Sequence, residues 1–434
     1  MSRQPDRFAT MDRRALLFGA AAMLVSRSAL AAPALLPIRA ADAFLDSVGI
    51  NVHLGSEPYA SAFDRVRTLL GASGIRHVRD ELRPGNDLAR WRDLNDSFGI
   101  RSHLLVSPAT NTVADMLRYL DTLGAHRVSA IEGQNEGDSD WFRSLPATGG
   151  DWSAKVVDYQ RVAYLALRSR YAADVLPMLS PSVLDWKPDD MTRIRGAAAF
   201  SDIVAIHSYV QHGQEPETPD DYASLDWYLT RMRDAFKPGA PVMATEAGYN
   251  NVTRPKGSGI SEAAAAIYIP RLLLHNFDAG VQRTFLYEFM DGGVKPTDTE
   301  AHWGLVRHDG SAKPAYHAVR RLLAALKDDQ TSARDASLRV SMPSASPDIR
   351  CQVFRKRDAT VVAAVWRTLR CWNVETARDI ATPPLPLDIA IEGPLAHAAW
   401  MRPHTDEAWT EIATGSGKIS LPVGDHVVLL RLSA

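Results

Sequence analysis

Two short strings hold the residue types that could do chemistry: Gly133-Gln134-Asn135-Glu136 and Ala244-Thr245-Glu246-Ala247-Gly248-Tyr249. Each places a glutamate at the C-terminal end of an apolar, strand-like run, and the two glutamates are about 110 residues apart. Two carboxyl groups facing each other at roughly 5 to 5.5 Å can cut a glycosidic bond with retention of configuration, one protonating the leaving oxygen and the other attacking the anomeric carbon. The acid needs a pKa raised by burial or a like charge, whereas the nucleophile must stay ionised beside donors and a cation. Groups so far apart in sequence can meet only if the elements that carry them converge.

Those elements are visible as a regular alternation. Strand-like runs lie at 48–54, 75–82, 101–107, 128–135, 175–182, 202–210, 241–248 and 283–290. Amphipathic helical stretches separate them, for instance 60–71, 152–171, 225–236 and 262–278. Ser261 followed by Glu262 predicts a helix start after the glycine-rich turn at 257–259. Eight βα units closing on themselves make an α/β (β/α)8 TIM barrel, whose strand C-termini share one mouth. A doubly wound open sheet is the rival topology, but no G-x-G-x-x-G follows the first strand. The last barrel helix is expected at 312–327, before the polar break Asp328-Asp329-Gln330. Short alternating runs follow at 360–366, 387–391, 418–421 and 426–432, an all-β module of about 100 residues, most simply a sandwich. The expected organisation is an export signal over 1–31, a catalytic barrel over 40–330 and a β-sandwich over 335–434.

Alternate residues of a strand share a side, which groups Glu132, Gln134 and Glu136 on the fourth strand. The same rule groups His207 with Tyr209 on the sixth, and His77, Arg79 and Glu81 on the second. Here the pattern becomes specific. The Asn135-Glu136 pair ending one strand, the His207-Ser208-Tyr209 strand, and Thr245-Glu246 three strands after the first pair resemble clan A glycoside hydrolases. The stretch from Trp303-Gly304-Leu305 through Asp309-Gly310 to Lys313-Pro314-Ala315-Tyr316 resembles the end of their barrels. The resemblance covers roughly residues 49–326 and is nearest to families 5 and 39, including exported bacterial barrels with a C-terminal β-sandwich. It implies Glu136 as general acid/base and Glu246 as nucleophile, with Asn135 on the sugar 2-hydroxyl. Tyr209 would hold the nucleophile carboxylate and Arg79 would keep it ionised.

The activity so implied is a retaining β-glycoside hydrolase acting by double displacement, with no metal or other cofactor. Its substrate would be an extracellular or cell-envelope oligo- or polysaccharide, cut internally. An exo-acting β-xylosidase or β-glucosidase and a transglycosylase are the alternatives within that class. A non-catalytic glycan-binding barrel is the alternative outside it, and the presence of both glutamates argues against it.

Other positions admit blander roles. Glu132, deeper in its strand, is expected to be a hydrogen-bonded structural carboxylate. His53, His103 and His207 fall near strand ends without H-x-H or H-E-x-x-H spacing, so they are expected on sugar hydroxyls or on one another and not on a metal. Glu288 is open between substrate contact and structural pairing. Trp141, Phe142, Trp186, Tyr249 and Trp303 follow strand ends, where flat rings suit sugar stacking along an extended groove. The polar stretch 250–259 is a candidate rim loop.

Composition agrees with this class of partner. The chain has 434 residues, 46% of them hydrophobic, and 49 Lys+Arg against 51 Asp+Glu. That balance gives no electrostatic reason to expect nucleic acid. Arg13-Arg14, an apolar run over 15–25 and small residues around Ala29-Leu30-Ala31 predict an export signal resembling the twin-arginine type. The mature protein would start near Ala32 and work in the periplasm or outside the cell. The apolar run is too short to span a membrane, no other stretch would, and a monomer is expected. Cys351 and Cys371 are the two cysteines, free to form a disulfide in an oxidising compartment or to stay as buried thiols.

Overall fold

The expected strands are apolar on both faces, as parallel strands covered by helices must be. In the computed structural model they form β1 (Val48–Asn51), β2 (His77–Glu81), β3 (Arg101–Leu105), β4 (Val128–Glu132), β5 (Met178–Leu179), β6 (Val204–His207), β7 (Val242–Ala247) and β8 (Thr284–Leu286). The structure describes residues 35–434 except 84, 86, 146–150, 185, 220–221, 333–336, 343–345 and 416. The expected export signal lies outside the described residues.

The eight strands pair in parallel in the order 5-4-3-2-1-8-7-6. A parallel bridge between Leu179 and Ile203 joins β5 to the run entering β6, which closes the barrel. Inside, Ala130, Leu179, Ile203, Ala205, Met243 and Phe285 form a small separate core. Gly49 faces that core because a Cβ there would stand 2.4 Å from the Phe285 ring. The helix Glu262–Asp278 starts where the sequence predicts, with Ser261 Oγ accepting the Ala264 N–H.

Three elements differ from expectation. Strand β5 shortens to two residues. Strand β8 stops at Leu286, and beyond it Glu288 and Phe289 pair with Trp303, Leu305 and Val306 while the Tyr287 and Phe289 N–H groups still reach the Ala247 and Asn51 carbonyls. The helical segment over 225–236 carries a π-turn at Leu229–Arg233.

The C-terminal region is the expected sandwich, a six-stranded sheet over a three-stranded one. Its core is aliphatic, with Val340, Val353, Val365, Ile389, Leu421 and Leu430 between the sheets. One edge strand comes from upstream of the barrel: Ile38–Ala40 pairs in parallel with Ile349–Arg355. The two bodies share a contiguous core, in which Phe44 and Phe277 meet Phe354 at ring separations of 5.3 and 6.0 Å. Beside it Arg271, fully buried on the Glu262–Asp278 helix, pairs with Glu217 and donates to the carbonyls of Leu369 and Asp425. Trp366 adds its ring N–H to Glu217 at 2.6 Å.

Cys351 and Cys371 are both free, and burial pushes each thiol up to about 12, so neither is a reactive thiolate. Among the described residues no helix is long and apolar enough to cross a membrane.

Removing Arg271 would leave the buried Glu217 carboxylate without its cation, with only the Trp366 N–H, and two carbonyls without the Arg271 donor. Arg271→Ala should therefore lower unfolding stability by about 3 to 5 kcal/mol, measured by urea titration. A loss below about 1 kcal/mol would place this contact among those that contribute little.

Candidate active site

The barrel mouth holds a cavity of ≈ 600 Å³ lined by strand ends and the loops that follow them. Its floor is organised by Arg79 of β2, which is 2% exposed. The guanidinium donates to both Glu132 oxygens at 2.8 and 2.9 Å and to Asn51 Oδ1 at 2.7 Å. It also reaches Glu246 Oε1 at 2.8 Å and Asn135 Oδ1 at 2.7 Å. An arginine has five N–H donors, and all of them are used here.

Glu132 ends β4 beneath the cavity, where it also meets His103 Nε2 at 2.8 Å. Burial pushes its carboxyl up, but the Arg79 charge and the hydrogen bonds from His103 and Arg79 outweigh that and bring it to about 2. It is the structural carboxylate expected from its depth, with His103 behind it and away from the cavity lining.

Glu246 sits near the end of β7. Its Oε2 accepts the Tyr209 hydroxyl at 2.7 Å, and His207 Nδ1 stands 3.6 Å away. Burial raises this carboxyl, and the charges of His207 and Arg79 with the Tyr209 and Arg79 hydrogen bonds lower it further than burial raises it. The group is held ionised.

Glu136 lies across the cavity, and its Oε1 is 2.9 Å from His207 Nδ1. Atoms of Glu136, His207 and Glu246 all lie within 4.8 Å of one another. Neighbouring residues of a strand face opposite sides, yet Asn135 and Glu136 both line the cavity. The chain allows this because β4 has already ended at Glu132 and Glu136 takes a left-handed φ of 43°. Its backbone N–H is fixed by Ser182 Oγ at 3.1 Å. A left-handed φ at a non-glycine residue costs about 1 kcal/mol or more, and such residues gather at functional sites.

His207 is fully buried behind the wall and bridges the two carboxylates instead of lining the cavity. Burial lowers its pKa, but Glu246 and Glu136 raise it more, so the net shift is upward. The trio could in principle ligate a cation, but Arg79 and Tyr209 already occupy the Glu246 oxygens. The three candidate histidines are not brought together: each has its own carboxylate, His53 with Glu288, His103 with Glu132 and His207 with Glu136.

Glu288 is buried beside the cavity wall, accepting from Tyr59 at 2.9 Å and pairing with His53 at 3.2 Å. It resolves into structural pairing, while His53 itself lines the cavity. Tyr209, Tyr287 and Trp303 form an aromatic corner over Glu246, with Tyr209 and Trp303 centroids 5.0 Å apart. The Trp303 ring N–H has no acceptor among the described residues. Trp141, Trp186 and Tyr249 also line the cavity, whereas Phe142 is wholly in the core. Asn250 and Ser258 bring the rim loop into the lining.

Sequence reasoning passed over Asn51, Tyr287, Asp80 and Glu300. Asn51 ends β1 and ties Arg79 to the carbonyls of Thr245 and Leu286. Its strand-end position was the available signal. Asp80 is pushed up to about 7 by burial, against the lowering effect of His53 and three N–H donors.

No protein-family model matches this sequence, and neither does any curated protein. Solved structures do. A family 39 glycoside hydrolase from Bacteroides cellulosilyticus superposes with a TM-score of 0.58 at 16% identity, over 92% of this chain and 83% of the other. A glucosidase from Croceicoccus marinus gives 0.58 at 12% identity, over 85% and 92%. What these structures share with this chain is the fold. At these identities the likeness lies in the barrel and its sandwich, in line with the resemblance read from the sequence.

The Arg79–Glu132 pair makes a pH-dependent contribution. Glu132 is lowered from its ordinary 4.5 to about 2, so its stabilisation is complete above pH 4.5 and is lost as pH falls toward 2. Glu132→Gln should cost about 3 kcal/mol at neutral pH, and the gap to the natural protein should narrow on acidification. A gap that stays constant from pH 6 to about 3 in denaturant titrations would contradict this assignment.

Proposed function

We propose that this chain is a retaining β-glycoside hydrolase that cuts an extracellular or cell-envelope polysaccharide internally by double displacement. The observation that carries the reading is the facing pair, with atoms of Glu136 and Glu246 within 4.8 Å across the barrel mouth. Retaining enzymes hold their carboxyls about 5 to 5.5 Å apart, whereas inverting ones leave about 6.5 to 9.5 Å for a water. The unequal surroundings of the two groups support the same assignment.

In the first step Glu246, ionised between Arg79 and Tyr209, attacks the anomeric carbon. Glu136 gives its proton to the glycosidic oxygen as the bond to the leaving sugar breaks. In the second step Glu136 takes a proton from water, the water oxygen attacks the anomeric carbon, and the Glu246 carboxylate is released. Asn135, whose carbonyl oxygen is committed to Arg79, keeps its amide N–H groups for a sugar hydroxyl. Work in the periplasm or outside the cell suits a polysaccharide substrate. A purely glycan-binding barrel has no use for two facing carboxylates with one held ionised.

Activated 2-fluoro glycosides of glucose, xylose, mannose and galactose provide the direct test. One of them should label Glu246, found by peptide mass, and Glu246→Ala should lose nearly all turnover while remaining folded. Azide should restore part of it with inverted product. Labelling of a different carboxylate, or full activity in this variant, would remove the assignment.

Glu136 carries an asymmetric demand, because an acid matters in proportion to how poor the leaving group is. Glu136→Gln should slow glycosylation by alkyl glycosides about 10²- to 10⁴-fold and by dinitrophenyl glycosides far less. Deglycosylation then lacks its base, so a burst should appear. Equal losses for both leaving groups without a burst would show that Glu136 is not the acid.

A further inference from the structure

The cavity has two aromatic groups, and they belong to different carboxylates. Tyr209, Tyr287 and Trp303 surround Glu246, with the Tyr209 hydroxyl bonded to it. Trp141 and Trp186 stand on the loops after β4 and β5, the first of which carries Glu136. These two rings are 54% and 59% exposed, far more than any other tryptophan named in the cavity lining. Leaving two large apolar rings in water is costly unless a partner covers them.

The loops that carry both rings are tied to the backbone around Glu136. Ser182, leading into the β5 loop, receives the Glu136 N–H on its hydroxyl and the Gly137 N–H on its carbonyl. The buried Asp138 carboxylate accepts the Leu184 N–H at 3.0 Å, joining the second loop to the first. Phe142 anchors the turn beneath Trp141, its ring 6.4 Å away and wholly buried. The loops that bear the two tryptophans are therefore joined to the backbone that carries Glu136.

We propose that Trp141 and Trp186 form the platform for the leaving-group side of the glycan, stacking on neutral pyranose rings beyond the cleaved bond. This rests on the glycosidase reading above. The scissile bond lies between the Glu246 corner and this platform, so the departing sugar occupies the Glu136 side. The same surface serves an incoming carbohydrate. When an acceptor sugar replaces water there, its hydroxyl proton passes to Glu136 and its oxygen attacks the anomeric carbon. The bond to Glu246 then breaks, and a new glycosidic bond is formed. The platform thus equips the protein to transfer as well as hydrolyse.

The test uses the full-length mature protein and the sugar whose 2-fluoro derivative labels Glu246. Trp141→Ala and Trp186→Ala are compared with the natural protein on the dinitrophenyl glycoside and on oligosaccharides of that sugar. Each variant should lose about tenfold more kcat/KM on the oligosaccharides than on the dinitrophenyl glycoside, the size of one stacked aromatic contact. Transfer product formed with added oligosaccharide acceptor should fall in parallel, and Trp→Phe should recover part of both losses. Equal effects on the two substrates, or none on either, with Glu246 still labelled, would overturn the platform and leave the glycosidase reading standing. Absence of labelling at Glu246 in the natural protein would instead remove the parent reading.

Discussion

A guanidinium that is 2% exposed is tolerable only when every donor is met, and Arg79 meets that condition with acceptors from several parts of the barrel. Asn51 comes from the end of β1, Glu132 from the end of β4, Asn135 from the loop after it and Glu246 from β7. The ion can satisfy all five bonds only if those strand ends stand in one arrangement. Because Glu132 matches its charge from below, Arg79 also has donors to spare for Glu246. Glu246 is thereby kept ionised without being locked into a private ion pair, and Tyr209 and His207 complete its environment. The arrangement of this mouth and the charge of Glu246 depend on the same cation.

The sandwich contributes to the site without entering it. No described residue after Trp303 lines the cavity, yet the rim loops rest on a two-stranded ribbon of the C-terminal region, Trp372–Asn373 with Arg378–Asp379. The Lys256 N–H bonds to the Val374 carbonyl at 2.7 Å, and a Cβ on Gly213 would stand 2.9 Å from Trp372. Glu217, after β6, is held by Arg271 together with Trp366. A module whose sequence shows no chemistry therefore acts as the outer wall for the loops after β6 and β7. The shared core makes it part of the barrel's own packing and not a tethered appendage.

Much of this was legible in the chain. The period of apolar runs marked all eight strands, since a parallel strand covered on both faces must be continuously apolar. Strand-end position and residue type were enough to single out Glu136 and Glu246, whereas Arg79 and Tyr209 were singled out by the resemblance to clan A glycoside hydrolases. Less legible were the boundaries of β5 and β8, where the chain bends into pairings with distant segments such as 303–306. Alternation along β4 placed Gln134 and Glu136 together but gave no hint that Asn135 would also face the cavity, because alternation stops where the strand does. His207 and Glu288 share the strand-end signal of true lining residues, yet neither lines the cavity, and the strand pattern does not distinguish them.

The sequence by itself determined the eightfold alternation, the trailing β module and the pair of glutamates at strand ends, because these follow from local periodicity and residue type. Tertiary structure alone decided that Glu132 and Arg79 neutralise each other, that His207 bridges the two carboxylates, and that an N-terminal strand joins the C-terminal sheet. Those facts depend on which side chains meet after barrel closure, where burial turns a few hydrogen bonds into the terms that set charge. Sequence spacing carries no record of such meetings.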